Sequence, residues 1–458
     1  MGSSPTFRTS TTMSSSKNIL LINPWIYDFT AYDYWLKPLG LLYIASILRE
    51  NTNCRLALID CLDRQHPLLA KKLKEKPDGR GAFPKEEVTK PQTLKGVPRK
   101  YSRYGIPLSL FIHELNRIPR PELVLITCAM TYWYPGVQLA VELVRQKFGQ
   151  VPVVLGGIYA SLVPEHAKSN SGADFVVQGA GENEILPLLN RVFGDGFSAL
   201  QEFKNFEGLP YPAFDLLRNK EGLPLFTSRG CPYRCTFCAS HLLYKDFEQR
   251  SPFSVISEIE SHFRAHGTLH FAFFDDALLL NKRKHIIPIL KGIVRKKLPL
   301  TFHTPNGLHV REIDFELASL LKQANVQSLF LSQESFNERF LARACPKVAP
   351  DDLAKALVEL EKAGYRREEI NVYLIVGLEG QDVSQIKEDI LKVKRIGARP
   401  RLTYYSPVPG TEEWKRLVAE GCVPQDADPL LHNKLTFPYL WGSFQTSDFD
   451  SVRNLLID

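Results

Sequence analysis

The chain has 458 residues, a formal net charge of +7, 44% hydrophobic and 23% charged residues, an ordinary globular composition that excludes extensive disorder and leaves room for about three domains. Its best apolar window, residues 38–48, falls well short of the ~18 residues a membrane span needs, so no membrane is expected as a partner. Eight cysteines in so long a chain do not form a disulfide framework, which points to a reducing, cytoplasmic setting.

Residues 1–17 are rich in Ser and Thr, lack the apolar stretch of a secretory leader and are expected as a disordered tail. From Asn18 onward, apolar strands alternate with amphipathic helices. Strands are expected at 18–23, 56–61, 122–128, 151–155 and 174–178, with helices at 37–50 and 182–192. Val137, Ala140, Val141, Val144 and Phe148 fall on one face of a further helix. Such short βα units over residues 18–195 predict a doubly wound, flavodoxin- or Rossmann-like parallel sheet in an α/β protein, with ligand beyond the carboxyl ends of the strands. The loops at those ends hold Asn23-Pro-Trp, an aromatic stretch with Tyr132 and Trp133, Gly156-Gly157, and Gly179-Ala-Gly181-Glu182, whose glycines let backbone approach a ligand.

Between the second and third strands lies a basic insertion, about 64–118. Residues 64–103 hold twelve Lys or Arg against four acids. A solvated face is the usual meaning of such a run, but aromatics interleaved with Arg99, Lys100 and Arg103 would also suit an anionic substrate. Nucleic acid is not expected, because no recognised binding module accompanies the charge. Residues 196–223 read as a linker. Strands are then expected at 223–228, 270–274, 300–303, 328–332, 371–376 and 401–405, with a helix at 353–363 capped by Asp351, and residues 411–458 form a C-terminal extension expected to cover the mouth of the second domain.

Just after the strand at 223–228, Cys231, Cys235 and Cys238 lie within eight residues on a loop closed by Gly230 and Pro232. Thiolates are the soft ligands of iron–sulfur clusters, and three of them leave one corner of a four-iron cubane open for a small molecule. A zinc site and a buried thiol cluster are the competing readings, but structural zinc takes four ligands and only the lone His241 is nearby. Cys345 and Cys422 stand isolated in sequence.

The C-x3-C-x2-C spacing, with Phe237 before the last cysteine, resembles the signature of the radical S-adenosylmethionine superfamily. The resemblance implies a partial (β/α)6 TIM-type barrel over 224–410. It further implies a [4Fe-4S] cluster held by Cys231, Cys235 and Cys238, and S-adenosyl-L-methionine bound to the open iron and cleaved to a 5'-deoxyadenosyl radical. On the same basis Phe237, Asp275 or Asp276, Gln333, Glu334, Gly377 and Gly380 contact S-adenosylmethionine, and an electron donor such as flavodoxin or ferredoxin reduces the cluster. His303 and Asn306 point toward the same mouth, where a hydrogen-bonded barrel histidine is as natural as a catalytic one. Residues 18–195 are similar to the cobalamin-binding domain of cobalamin-dependent radical enzymes, implying cobalamin contacts at Tyr132, Trp133, Gly156, Gly157, Gly179 and Gly181. The D-x-H-x-x-G motif whose His ligates cobalt is missing, so a Rossmann-like domain that merely packs on the barrel stays open. The expected activity is methyl transfer to an unactivated centre of a small molecule. Cobalamin-free rearrangement, oxidation or cyclisation is the alternative, and a binding or sensor module with a structural cluster is the alternative of another class.

Overall fold

The computed structural model describes residues 16–70, 73, 76–194, 196–197, 203, 205–378, 381–436 and 446–456. Five parallel strands, β1 (Asn18–Asn23), β2 (Arg55–Asp60), β3 (Leu123–Cys128), β4 (Val153–Gly157) and β5 (Phe175–Val176), form one sheet in the order β2-β1-β3-β4-β5. The order reverses between β1 and β3, which makes their carboxyl ends the switch point where such sheets bind ligands. Alternation along the strands divides the side chains between two faces. Ile19, Leu21, Leu123 and Leu125 pack against helices α1 (Leu39–Asn51) and Ile185–Phe193, whereas Leu20, Ile22, Val124 and Ile126 meet Phe111 and the apolar stripe of Tyr134–Phe148. The last strand is only two residues long, shorter than its apolar run suggests.

Six strands build the second domain: β6 (Gly222–Leu225), β7 (His270–Phe273), β8 (Thr301–His303), β9 (Phe330–Glu334), β10 (Asn371–Val376) and β11 (Arg399–Tyr404). They run parallel, β6-β7-β8 on one side and β9-β10-β11 on the other. The fourth strand is split at Leu329. Val326–Ser328 pairs with β8, while β9 pairs with β10 and with Leu308–His309. Helices such as Pro252–His266, Phe315–Gln323 and Asp352–Lys362 cover the outside. The expected cap Asp351 makes no side-chain cap bond. Instead Asp352 Oδ2 accepts from the Ala349 N–H at 2.8 Å and Arg311 Nε at 3.2 Å.

The connecting segment is packed rather than free-running. Phe206 and Phe214 are buried, the Ala213 N–H donates to the Leu42 carbonyl at 3.1 Å, and the Ser46 hydroxyl donates to the Tyr211 carbonyl at 2.6 Å. One face of the first sheet therefore shares a continuous apolar core with the barrel.

Two cations of the basic insertion, Arg64 and Arg103, are enclosed and paired, whereas Lys85, Lys95 and Lys100 are exposed. Ile26–Asp28, Ser102–Tyr104 and Lys85–Glu87 form a small antiparallel sheet, and Arg103, 6% exposed, is buried beside Trp25 and paired with Glu86. Arg64 is buried on Asp33 at 2.9 Å and Lys100 pairs with Glu87 at 2.8 Å. Burial without a partner would be costly for Arg64 and Arg103, and each has one: Asp33 from the first domain and Glu86 from the insertion. The described part of the C-terminal extension touches both domains: the Glu413 N–H donates to the Thr236 carbonyl of the cysteine loop at 2.9 Å. The turn Pro429–His432 packs on Thr131–Trp133 of the first domain, with His432 Nδ1 3.0 Å from Thr131 Oγ1 and Asn433 Nδ2 donating to Asp28 Oδ1 at 2.9 Å. The proposed tail lies outside the described residues except for Ser16 and Lys17, and Lys17 is anchored by an ion pair to Glu122 at 2.9 Å.

Candidate active site between the two domains

The cysteine loop leaves the barrel at the carboxyl end of β6. Ser228–Arg229 pairs antiparallel with Glu248–Gln249, closing the base of the loop. Gly230 has φ +77°, and a Cβ there would lie 2.6 Å from the Asp246 carbonyl oxygen, so the chain can turn into Cys231 only through glycine. The Thr236 N–H donates to the Ala344 carbonyl at 3.1 Å, and the Thr236 carbonyl accepts from the Glu413 N–H at 2.9 Å. Cys235 is buried; Cys231 and Cys238 are half-buried. Burial pushes the Cys231 thiol up to about 11 and raises Cys238, whereas a hydrogen bond from Cys345 holds Cys235 below the ordinary thiol range. Cys345 is thus not isolated. Its Sγ lies 3.6 Å from Cys235 Sγ.

No three His, Cys, Asp or Glu side chains among the described residues converge on a single ion. A four-iron cluster is much wider than an ion and is bound by thiolates standing apart around it, which suits three cysteines on one loop. His309, whose ring meets that of Tyr233 on this loop at 5.1 Å, lacks protein partners in a way that fits a polar, zwitterionic nucleoside. Both ring nitrogens of buried His309 and Oε1 of buried Gln333 have no hydrogen-bond partner. Glu334 is 9% exposed and sits at φ +65°. Burial raises its carboxyl and Lys347 opposes the rise, while burial disfavours the Lys347 cation and Glu334, Cys345, Cys235 and Cys231 more than restore it. Such a backbone conformation in a non-glycine residue costs about 1–3 kcal/mol and persists where neighbours impose it.

The two adjacent carboxylates diverge. Asp275, 2% exposed, turns inward: its Oδ1 accepts from the Thr227 N–H, the Thr227 hydroxyl and the Ser228 hydroxyl at 3.0, 2.7 and 2.6 Å, bracing the strand that carries the cysteine loop. Asp276 opens to the cavity between the domains, its carboxyl raised by desolvation and restrained by Ser240 and Lys347. Gln333 is likewise internal, donating to the Ser335 and Ala349 carbonyls. Phe237 is half-buried against the core. Gly377, φ +92°, opens a turn closed by Gln381, whose Oε1 accepts from the Leu378 N–H; Gly380 lies outside the described residues. His303 does not reach the mouth: it stacks on Trp35 at 4.2 Å and lies 3.2 Å from His270 Nδ1 and 3.0 Å from the Ser328 hydroxyl. Asn306 does line the cavity.

That cavity, about 330 Å³, runs from the glycine loops to the barrel mouth. Gly156, Gly157, Gly179 and Gly181 line one side; Phe226, Tyr244, Phe274 and Asp276 line the other. A second hollow of about 240 Å³ shares Gly157, Phe226, Tyr244 and Phe274 with it and reaches Trp133, whose Nε1 donates to Asp28 Oδ2 at 3.0 Å. Tyr132 lines neither hollow and is buried. Arg229 and Glu182 meet across the seam at 2.6 Å, each side chain 9% exposed, with the guanidinium 4.2 Å from the Phe206 ring centroid. Sequence reading did not single out Arg229, Lys347 or His309, which carry no motif.

Residues 225–393 match the radical SAM superfamily, and residues 109–188 match the B12 binding domain. The fold and the cysteine loop define a radical SAM enzyme. Its particular form is a radical SAM domain behind a B12-binding domain, whose cofactors are a [4Fe-4S] cluster, S-adenosylmethionine and cobalamin. The whole arrangement is similar to the radical S-adenosylmethionine methyltransferase TsrM from Kitasatospora setae, with a TM-score of 0.65 and 17% identity over 89% of this chain and 76% of that one. An uncharacterized methyltransferase of Pyrococcus horikoshii is 24% identical over 69% of this chain and 74% of its own length. The anaerobic magnesium-protoporphyrin IX monomethyl ester cyclase of Rubrivivax gelatinosus is 22% identical over 59% of this chain, which spans 53% of that relative. No helix among the described residues is long and apolar enough to cross a membrane.

Proposed function

We propose that the protein transfers a methyl group to an unactivated carbon or phosphorus of a small molecule. The observation that carries this reading is the continuous hollow in which the glycine loops of the first domain face Asp276 and Asn306 at the barrel mouth, beside the cysteine loop. Cys231, Cys235 and Cys238 would hold the cluster; Asp276, Glu334, Lys347, His309, Phe237 and Gly377 would surround S-adenosylmethionine; Gly156, Gly157, Gly179, Gly181 and Trp133 would line the cobalamin site. When bound, the reduced cluster supplies homolytic cleavage of the sulfonium and cobalamin supplies a transferable methyl group. The chain's own part is to bind, orient and exclude water. The half-buried cysteine loop and the apolar walls Phe226, Phe274 and Tyr244 keep bulk solvent from reactive species. A low-potential electron donor such as a flavodoxin or ferredoxin and a reducing cytoplasm suit this chemistry.

The similarity to a cyclase favours one second reading, radical oxidation or ring closure without methyl transfer. Anaerobic turnover with S-adenosylmethionine labelled in its methyl group distinguishes the two. Label in a product of the extracted small-molecule pool, dependent on cobalamin, is expected. Formation of 5'-deoxyadenosine with no label transferred would refute methyl transfer and favour the second reading.

A further inference from the structure

Helix Glu338–Ala344 ends directly against the cysteine loop, where its last carbonyl accepts from the Thr236 N–H at 3.1 Å. The next residue, Cys345, is 0% exposed and packed in the common apolar core, so its thiol has no water to bond with. Its one hydrogen-bond partner among the described residues is Cys235 Sγ at 3.6 Å, within the reach of a sulfur–sulfur hydrogen bond; with both thiols protonated Cys235 is the donor, but a Cys235 thiolate bound to iron has no proton to give, and Cys345 then donates. The two residues are 110 positions apart, so the barrel fold itself brings them together. The Thr236–Ala344 backbone bond fixes the separation by locking the residues next to each thiol.

A cluster gains negative charge when it is reduced, and a donor aimed at a ligand sulfur stabilises the reduced form more than the oxidised one; hydrogen bonds to the sulfurs are one of the controls on cluster potential. From this contact we infer that Cys345 is a positioning residue that tunes the cluster through an S–H···S bond to Cys235, raising its reduction potential. The inference rests on the assignment of Cys235 as a cluster ligand. Cys345 itself stays enclosed in the apolar core, and three ligands remain the complete set.

The test uses the full chain, reconstituted anaerobically with iron and sulfide, as wild type, Cys345→Val and Cys345→Ser. Potentials are read by redox titration followed by electron paramagnetic resonance of the reduced cluster. Val fills the thiol's space without a donor, so iron content should match wild type while the one-electron reduction equilibrium shifts about tenfold against the reduced form, or about 59 mV more negative. Ser, which keeps a donor, should fall between Val and wild type. If Val prevents assembly, Cys345→Ala takes its place in the same titration. A donor-free variant titrating at the wild-type potential, or Ser matching Val, would overturn the inference. A wild-type protein that assembles no four-iron cluster would instead overturn the underlying ligand assignment.

Discussion

Adjacent glycines on the same cavity wall should fail in different ways when a side chain is added. At Gly156 a Cβ would meet nothing within 4 Å and project into the cavity. At Gly157 the backbone has φ +91°, and a Cβ would lie 2.7 Å from the Cys128 carbonyl oxygen and 2.9 Å from its nitrogen, atoms held in the sheet by the β3–β4 ladder. Gly156→Val should therefore leave the fold intact and obstruct cobalamin, weakening it by about 100-fold or more, which is about 2.8 kcal/mol. Gly157→Ala should destabilise the protein by about 2–4 kcal/mol, the sum of a left-handed alanine and a contact that neither backbone can relieve. Urea unfolding of the cofactor-free proteins measures the second effect, and titration with hydroxocobalamin followed by gel filtration measures the first. Wild-type affinity in Gly156→Val, or a wild-type unfolding midpoint in Gly157→Ala, would refute this division of roles.

Single replacement of Cys231, Cys235 or Cys238 by Ala should abolish both four-iron content and 5'-deoxyadenosine formation; unchanged iron in all three would disprove the ligand set. Glu182→Ala leaves Arg229 charged and buried, and should cost about 3–5 kcal/mol in the same unfolding assay, with Glu182→Gln losing less because it can still accept a hydrogen bond. Burial lifts the Asp275 carboxyl to about 6, so the folded state holds its proton more tightly than the unfolded chain does. The resulting stabilisation is full below about pH 4 and is lost as pH rises through about 6, whereas Asp275→Asn has no proton to lose there. The variant should gain on wild type by up to about 3 kcal/mol between pH 4 and 7, and a constant difference across that range would exclude a raised Asp275. Within the insertion, Arg103→Ala should lower stability while Lys100→Ala should not, checked by thermal melting, since only the first cation is enclosed.

Much of the architecture was legible because it rests on local signals. Apolar runs at β1, β3 and β10 are bounded by polar turns, and their succession with amphipathic helices specifies parallel sheets without any knowledge of contacts. The cysteine loop was legible for the same reason: its three thiols are neighbours in sequence. What stayed hidden depends on distance along the chain or on orientation. Asp275 and Asp276 are chemically identical neighbours in the loop after β7, and only the path of that loop decides that one braces Thr227 while the other opens to the cavity. Tyr132 and Trp133 sit in one helical turn, Thr131–Trp133, whose orientation buries the first and turns the second to the second hollow. His303 read either as a mouth residue or as a hydrogen-bonded barrel histidine, and local sequence could not decide because Trp35, which covers it, arrives from the other domain. The insertion's charge surplus counted residues but not pairings, so Arg64 and Arg103 read as available when Asp33 and Glu86 hold them.

The contact between His432 and Thr131 spans 301 positions, and that between Asn433 and Asp28 spans 405. Asp28 is also the acceptor that fixes Trp133 at the rim of the second hollow. During synthesis at about 5–20 residues per second, the first sheet, complete at Val176, would emerge roughly 13–51 s before His432, which pins its aromatic loop. For that interval the loop 131–133 lacks its last hydrogen bonds, although every residue of the sheet already exists. A nascent chain stalled after the radical domain should therefore bind cobalamin less firmly than the finished protein.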